Sequence, residues 1–255
     1  MITIGYDCGT QLTKAVLLQD GKVLAKAFVP TAFDATGAAQ ELKKNLLGYV
    51  NMAVDKVDKV AMTGVGSNQL TGIGTLINEV SSAAKGVSFL LPEADSLIDM
   101  GANNTKAIKL GRKGVVISYE LNDKCAAGTG AFIEAMARVL NVTPEEFGKL
   151  ALNSKKDLVI SAQCAVFVES EVISLVHHKE TGPDIAHGVL AGIASRTSSM
   201  VKRLGSIGTV ALIGGCAMNV GLVRCLEKDL NKKITVPEDA LYVQAIGAGL
   251  FAAGE

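Results

Sequence analysis

Asp7-Cys-Gly-Thr-Gln-Leu-Thr-Lys-Ala-Val16 returns as Asp99-Met-Gly-Ala-Asn-Asn-Thr-Lys-Ala-Ile108, an offset of 92 residues from Asp7 to Asp99. Five positions coincide: Asp7 with Asp99, Gly9 with Gly101, Thr13 with Thr105, Lys14 with Lys106, Ala15 with Ala107. Each copy follows an apolar stretch, 2–6 or 96–98, and enters another, 15–18 or 107–110. A turn at Asp20-Gly21 or at 111–114 then leads to a third stretch, 23–29 or 115–121. The spacing predicts that each half opens with a three-stranded meander whose first turn carries Asp-x-Gly. One such turn is common in unrelated hairpins. Two in register, sharing Thr-Lys-Ala, point to a duplication.

The residue types in that turn suit a phosphate and its cation. Glycine lets the backbone approach a phosphate closely, and successive N–H groups form an anion-binding concavity. A carboxylate serves Mg2+, usually through water, because that cation keeps hard oxygen ligands. Asp7 and Asp99 are therefore candidate catalytic residues at the cation.

Helices and glycine-rich crossings follow each meander. Residues 38–49 read as a helix, and 57–62 as a strand ending in Thr63-Gly-Val-Gly66. Residues 209–213 read as a strand running into Gly214-Gly215, with a helix from about 220 to 230. Gly-Gly at the carboxyl end of a strand, opening a helix, is a common place for a nucleotide. The segment 244–253 reads as a helix whose small residues, Ala245, Gly247, Ala248 and Gly249, allow close packing. Alternating strands and helices predict α/β layers. The expected division is an N-terminal lobe, 1–95, joined by the C-terminal helix 244–255, and a second lobe, 96–243.

Composition narrows the partners. The 255 residues are 49% hydrophobic and 20% charged, with formal net charge zero, so no basic footprint suggests nucleic acid or an anionic membrane. No leader pattern is read at the N-terminus and apolar runs are too short to span a bilayer, so the expected location is cytoplasmic. Five cysteines, Cys8, Cys125, Cys164, Cys216 and Cys225, show no C-x-x-C spacing. That argues against a disulfide framework or a zinc site built within one chain.

Cys125 precedes a predicted helix with the stripe Phe132, Ile133, Met136, Val139 and Leu140. Cys164 begins another, with Ser161 as its expected cap and Val168, Val172, Leu175 and Val176 as its apolar side. Between them, Thr143-Pro-Glu-Glu146 reads as a capping box. A helix N-terminus favours thiolate over thiol. By spacing alone both cysteines read first as packed structural residues, and it is a family resemblance that singles them out.

The whole pattern resembles the superfamily of actin, sugar kinases and heat-shock chaperone ATPases. Asn122-Asp-Lys-Cys-Ala-Ala-Gly-Thr-Gly-Ala-Phe132 and Ala162-Gln-Cys-Ala-Val-Phe-Val-Glu-Ser-Glu-Val-Ile-Ser174 are similar to a narrower group. These are the ATP-dependent activators of 2-hydroxyacyl-CoA dehydratases and the ATP-binding subunits of benzoyl-CoA reductase. The resemblance implies an actin-like (ribonuclease H-like) two-lobed ATPase fold that binds ATP/ADP with Mg2+. It implies one 4Fe-4S cluster per dimer, shared by a homodimer or by related subunits, with Cys125 and Cys164 as each partner's ligands. A two-fold axis doubles two thiolates to the four that such a cluster takes. Electrons would come from a low-potential donor such as ferredoxin or flavodoxin and pass to an acyl-CoA dehydratase or reductase. Carried over by position, Gly9, Thr10, Gln11, Leu12, Thr13 and Lys14 form the first phosphate turn beside Asp7. Gly101 and Ala102 belong to the second turn, Gly214 and Gly215 to the adenosine motif, and Gln244 to the helix closing the pocket. Cys8, Cys216 and Cys225 read as structural.

Two departures stand out. Activators typically carry Gly-Gly-Gln-Asp in the second turn, whereas this chain has Gly101-Ala-Asn-Asn104. Asn104, a candidate catalytic residue, can orient water but takes no proton from it. Val80-Ser-Ser-Ala-Ala-Lys-Gly86 lacks the Cys-His pair that often follows the residue matching Glu79. Both departures point to hydrolysis that is slow, partner-triggered or less important than nucleotide binding, and bring the chain nearer the benzoyl-CoA-reductase type of subunit without deciding between the two types. His177 and His178 read as solvated helix-end cations. Glu169 and Glu171 read as a solvated face, although Glu169 matches a family position near the nucleotide. Two other functions suit the fold: a small-molecule kinase and a metal-free nucleotide switch. The kinase needs a general base, and neither Asp-x-Gly turn is followed by one.

Restoring the carboxylate tests the departure at Asn104. Asn104→Asp is expected to raise basal ATP turnover roughly tenfold or more, with little change in ATP affinity. Steady-state phosphate release beside a nucleotide titration reads both quantities, and unchanged turnover would assign water positioning to another group.

Overall fold

The computed structural model describes residues 1–31, 34–70, 72–160 and 164–254. In chain order the first elements are β1 (Ile2–Cys8), β2 (Leu12–Gln19), β3 (Lys22–Pro30), α1 (Ala35–Tyr49), β4 (Lys59–Thr63), β5 (Thr75–Leu76) and α2 (Glu79–Leu90). There follow β6 (Ser96–Met100), β7 (Thr105–Leu110), β8 (Val116–Asn122), α3 (Gly130–Val139), α4 (Pro144–Ala151), α5 (Ala165–His177) and α6 (Gly182–Arg203). The last are β9 (Val210–Ile213), α7 (Val220–Leu230), β10 (Ile234–Thr235) and α8 (Val243–Ala253).

The duplication read from the sequence is a duplication of topology. One sheet has the order β3-β2-β1-β4-β5 and the other β8-β7-β6-β9-β10, the same path traced twice. In each, an antiparallel hairpin is extended by a strand running parallel to its first member. The registers agree too: Asp7 pairs with Lys14 and Thr63, and Asp99 with Lys106 and Ile213.

Two compact units result. The first comprises Met1–Ala94, Leu110–Ile117 and Leu241–Glu255, the second Asp95–Lys109 and Ser118–Ala240. The single interval expected at 96–243 is therefore interrupted. The connection between β7 and β8 packs on α2, where a side chain at Gly114 would lie 2.8 Å from Ser88 Cβ and 2.9 Å from Ala84 O.

Each unit buries its own aliphatic core. Ile4, Tyr6 and Leu17 from the first sheet meet Leu42 and Leu46 of α1. The second core gathers Ile98 and Leu212 with Phe132, Phe147, Ile185, Ile193 and Leu226. Asp34 caps α1 by accepting from Gly37 N at 2.8 Å, which starts that helix three residues before the expected 38. Among the described residues, no helix is long and apolar enough to cross a membrane.

α8 joins the first unit by very close backbone packing. Ala245, Ile246 and Leu250 cover Val16 and Leu18. A Cβ at Gly247 would overlap the Ser82 carbonyl oxygen on α2, a backbone atom that cannot swing aside. Gly48 in α1 has nothing within 4 Å of the same position. Gly247→Ala is thus expected to destabilise by about 3 kcal/mol, whereas Gly48→Ala should stabilise by roughly 0.5–1 kcal/mol. Urea unfolding midpoints for both variants check this, and equal midpoints would contradict it.

Candidate functional site: two Asp-x-Gly turns and two exposed thiols

Each hairpin turn is built round one carboxylate tied to a lysine across the strand pair. Lys14 Nζ donates to Asp7 Oδ2 at 2.7 Å, and Lys106 Nζ to Asp99 Oδ2 at 3.1 Å. Both pairs are largely withdrawn from water: the side chains are 8% and 13% exposed in the first, 3% and 5% in the second. The turns close alike, Gly9 N donating to Leu12 O at 3.1 Å and Gly101 N to Asn104 O at 3.0 Å. Thr10 and Gln11 stand exposed at the first tip, and Leu12 opens β2.

The braces differ. Thr31 holds the first turn, its hydroxyl donating to Gly9 O at 2.8 Å and its N–H to Gln11 O at 2.9 Å. Thr13 joins that brace through a 2.9 Å hydroxyl contact with Thr31, so its side chain serves the turn. In the second turn Lys106 also donates to Asn104 Oδ1 at 3.2 Å, so the oxygen of Asn104 is engaged and its amide N–H groups are the donors it offers. Ala102 lies beside Gly101 and its carbonyl accepts from Ala131 N at 2.9 Å.

A glycine absent from the sequence-based site lies against the first carboxylate, matching Gly214 against the second. Gly64 directly follows β4 and Gly214 directly follows β9, with φ of +90° and +88°. A Cβ at Gly64 would lie 2.6 Å from Cys8 O and 2.7 Å from Asp7 Oδ1. At Gly214 it would lie 2.5 Å from Met100 O and 3.3 Å from Asp99 Oδ1. Gly64 is therefore the first unit's counterpart of Gly214, and its signal was the Thr63-Gly-Val-Gly66 run at a strand's carboxyl end. Thr63, beside Asp7 in register, has a buried hydroxyl with no hydrogen-bond partner among the described residues. Gly215 faces open space, with nothing within 4 Å of where a Cβ would stand. In the first unit, the Asp7 carboxylate and the neighbouring Thr63 hydroxyl are hard oxygen donors of the kind a magnesium phosphate takes. Gln244 lies in the first turn of α8, within the first unit.

The cysteines divide into two sets. Burial, reinforced by Asp7, pushes the Cys8 thiol up to about 12. Burial, reinforced by Asp99, does the same for Cys216, also to about 12, and burial raises Cys225 to about 11. These three are protonated packing residues at neutral pH. Cys125 and Cys164 are exposed free thiols.

Their settings differ from one another. Cys125 does not abut an α-helix as expected: the 3-10 turn Ala126–Gly128 intervenes and Thr129 is the N-cap of α3. Asn122 fixes the Cys125 backbone, accepting from its N–H at 3.1 Å and donating to its carbonyl at 3.0 Å. Cys164 is itself the N-cap residue of α5, its carbonyl accepting from Phe167 N and Val168 N at 3.0 Å. The expected cap Ser161 lies outside the described residues. The arm carrying Cys164 is clipped at both stems by buried Asp184. That carboxylate accepts from Thr181 Oγ1 at 2.6 Å, Lys155 N at 2.7 Å, and Ser154 Oγ and Lys156 N at 2.9 Å. The Thr181 hydroxyl, then those amides, hold its carboxyl far below the ordinary carboxylate range. The Thr143–Glu146 capping box forms as read, with bonds of 2.8 and 3.2 Å. His177 ends α5 exposed, and His178 is its C-cap. Glu169 is exposed on the same helix. Among the described residues, no three His, Cys, Asp or Glu side chains gather as a metal site. One chain therefore offers two soft thiol donors, suited in kind to an iron–sulfur cluster and half of its usual number.

The chain has relatives among known proteins along its whole length. The chain is 37% identical to the 2-hydroxyisocaproyl-CoA dehydratase activator of Clostridioides difficile, over 100% of this chain and 96% of that protein. It is 33% identical to a benzoyl-CoA reductase subunit of Thauera aromatica, over 99% and 93%. The leaning toward the reductase type drawn from Asn104 is thus not matched by identity over the whole chain. A solved structure, the activator of the 2-hydroxyisocaproyl-CoA dehydratase from Clostridium difficile with bound ADPNP, superposes with a TM-score of 0.93 at 36% identity, covering 99% of this chain and 94% of that one. The fold is the actin-like α/β ATPase fold. With residues 4–252 matching its pattern, the chain belongs to the BadF/BadG/BcrA/BcrD ATPase family.

Proposed function

We propose that this chain is an ATP-driven electron-transfer activator of an acyl-CoA dehydratase. The observation that carries the reading is the split among the cysteines: Cys125 and Cys164 are exposed while the other three are buried, in a chain that holds two matched Asp–Lys turns. Cys125 and Cys164 would hold one 4Fe-4S cluster jointly with a second copy, or with a related subunit. A cluster bound there supplies one-electron chemistry at low potential.

Within each unit, the backbone N–H groups of the turn would take phosphate. Asp7 and Asp99 would orient the water shell of Mg2+, while Lys14 and Lys106 hold each carboxylate in place through the hydrogen bonds across the strand pair. Thr63 offers its unpartnered hydroxyl beside Asp7. Asn104 would orient the attacking water through its amide donors and accept no proton, which makes hydrolysis depend on a partner. ATP and ADP would bias two arrangements of the chain through different contacts at the turns. A ferredoxin or flavodoxin would supply electrons. The closer whole-chain likeness to a dehydratase activator than to a reductase subunit favours a dehydratase as receiver. A small-molecule kinase is less well supported, because the carboxylates in both turns are already tied to lysines.

Iron and acid-labile sulfide per dimer, after anaerobic preparation, test the cluster. Cys125→Ala and Cys164→Ala are each expected to lose it, since a two-fold axis removes two ligands at once. Cys225→Ala should keep wild-type iron. In the iron-free protein, iodoacetamide should modify two thiols per chain quickly and the remaining three only on unfolding. Full iron in Cys125→Ala would overturn the cluster reading in favour of a metal-free switch.

Calorimetry with and without Mg2+ tests the cation's carboxylate. Asp7→Asn should weaken Mg2+-ATP binding at least roughly tenfold while changing metal-free ADP binding little. Equal losses for the two ligands would count against that role.

A further inference from the structure

The bonds that fix the Cys125 loop converge on the second Asp-x-Gly turn. Gly130 N donates to Gly101 O and Ala131 N to Ala102 O, both at 2.9 Å. These are among the first N–H groups of α3, donors that a helix cannot satisfy internally. Between them and Cys125, the Thr105 hydroxyl donates to Gly128 O at 2.6 Å. Thr105 and Gly128 are both buried, so this bond has no competing water.

The loop itself is stiff. Asn122 holds Cys125 at both backbone groups, Thr129 Oγ1 donates to Ala126 O at 2.7 Å, and Arg196 reaches Ala127 O at 3.3 Å. A segment tied this often moves as a body or stays put. Thr105 opens β7 next to Lys106, which grips Asp99. Displacement of the turn therefore reaches the cysteine loop through these three bonds, of which Thr105 makes the one from a side chain. Its repeat partner Thr13 bonds Thr31 instead, within the first meander. The same residue at the same register position thus braces its own turn in one copy and reaches out to a different loop in the other.

We infer that Thr105 is the positioning residue coupling the second nucleotide turn to Cys125. The inference rests on the nucleotide reading above, and loss of the Thr105 hydroxyl is expected to uncouple the two sites without removing either. Asp99, Lys106 and Gly101 remain in Thr105→Val, so the turn keeps its form while the Gly128 carbonyl loses its donor.

Amide hydrogen exchange across residues 123–131 of the full, iron-free chain reads this directly, with Mg2+-ADPNP as the probe. In the wild type, Mg2+-ADPNP is expected to slow exchange in that segment. Thr105→Val should exchange roughly three- to tenfold faster there without nucleotide. It should bind Mg2+-ADPNP with affinity within about twofold of wild type and show no slowing. Thr105→Ser keeps the hydroxyl and should restore both behaviours, while Thr13→Val should leave the segment unchanged. If Thr105→Val does not fold, Thr105→Ala lacks the same hydroxyl without adding bulk and takes its place. Wild-type slowing that persists in the hydroxyl-free variant would overturn the inference. A wild type that binds no ADPNP would instead sink the nucleotide reading, and the nucleotide-free exchange rates would still decide whether Thr105 holds the loop.

Discussion

A buried carboxylate tied to a lysine one strand away organises this molecule, and it does so twice. Taking an Asp out of water is expensive unless a counter-charge comes with it. Asp7 and Asp99 bring theirs by register, since the turn sets each opposite Lys14 or Lys106. Strand pairing, turn length and charge placement are therefore one constraint. Removing a single partner of such a pair leaves an uncompensated buried charge, a loss of about 3–5 kcal/mol. The exposed Glu145–Lys149 pair on α4, by contrast, is screened by water and organises nothing around it. Gly64 and Gly214 exist for the same reason: the parallel strand ends against the carboxylate, where no side chain fits.

Much of this was legible because duplication writes itself in residues that cannot vary freely. Asp, Gly and Lys recur at fixed spacing since the turn needs all three, and their register in the sequence is their register in the sheets. Thr13 and Thr105 are equivalent by position, yet their hydroxyls bond different partners, because side-chain contacts depend on what the following segment brings near. Gly64 carries a local signal in Thr63-Gly-Val-Gly66, but its equivalence to Gly214 is hidden, since the two sit at different offsets from their turns and the linking segments differ in length. α6, the longest helix, is marked only by Thr181-Gly-Pro-Asp184 at its start and by Ile185, Val189 and Ile193 on its buried side. The 3-10 turn after Cys125 is invisible to periodicity, being only three residues long.

The cysteines show how little residue type says without environment. All five are chemically identical in the sequence. Burial beside a carboxylate turns Cys8 and Cys216 into inert packing groups, each adjoining one of the two aspartates. Cys125 and Cys164 differ from them only in exposure and in the rigidity of what holds them. One is bracketed by an asparagine, the other stands at the head of an arm whose stems share one aspartate.

The closure of the first unit by α8 imposes an order on synthesis. Val16 and Leu18 leave the ribosome early, but the helix that shields them is encoded after the entire second unit. Every residue of Asp95–Lys109 and Ser118–Ala240 emerges while that apolar face is still bare. The second unit contains all the elements of its own core and is free to consolidate first. The first unit cannot close that side of its sheet until α8 has been made.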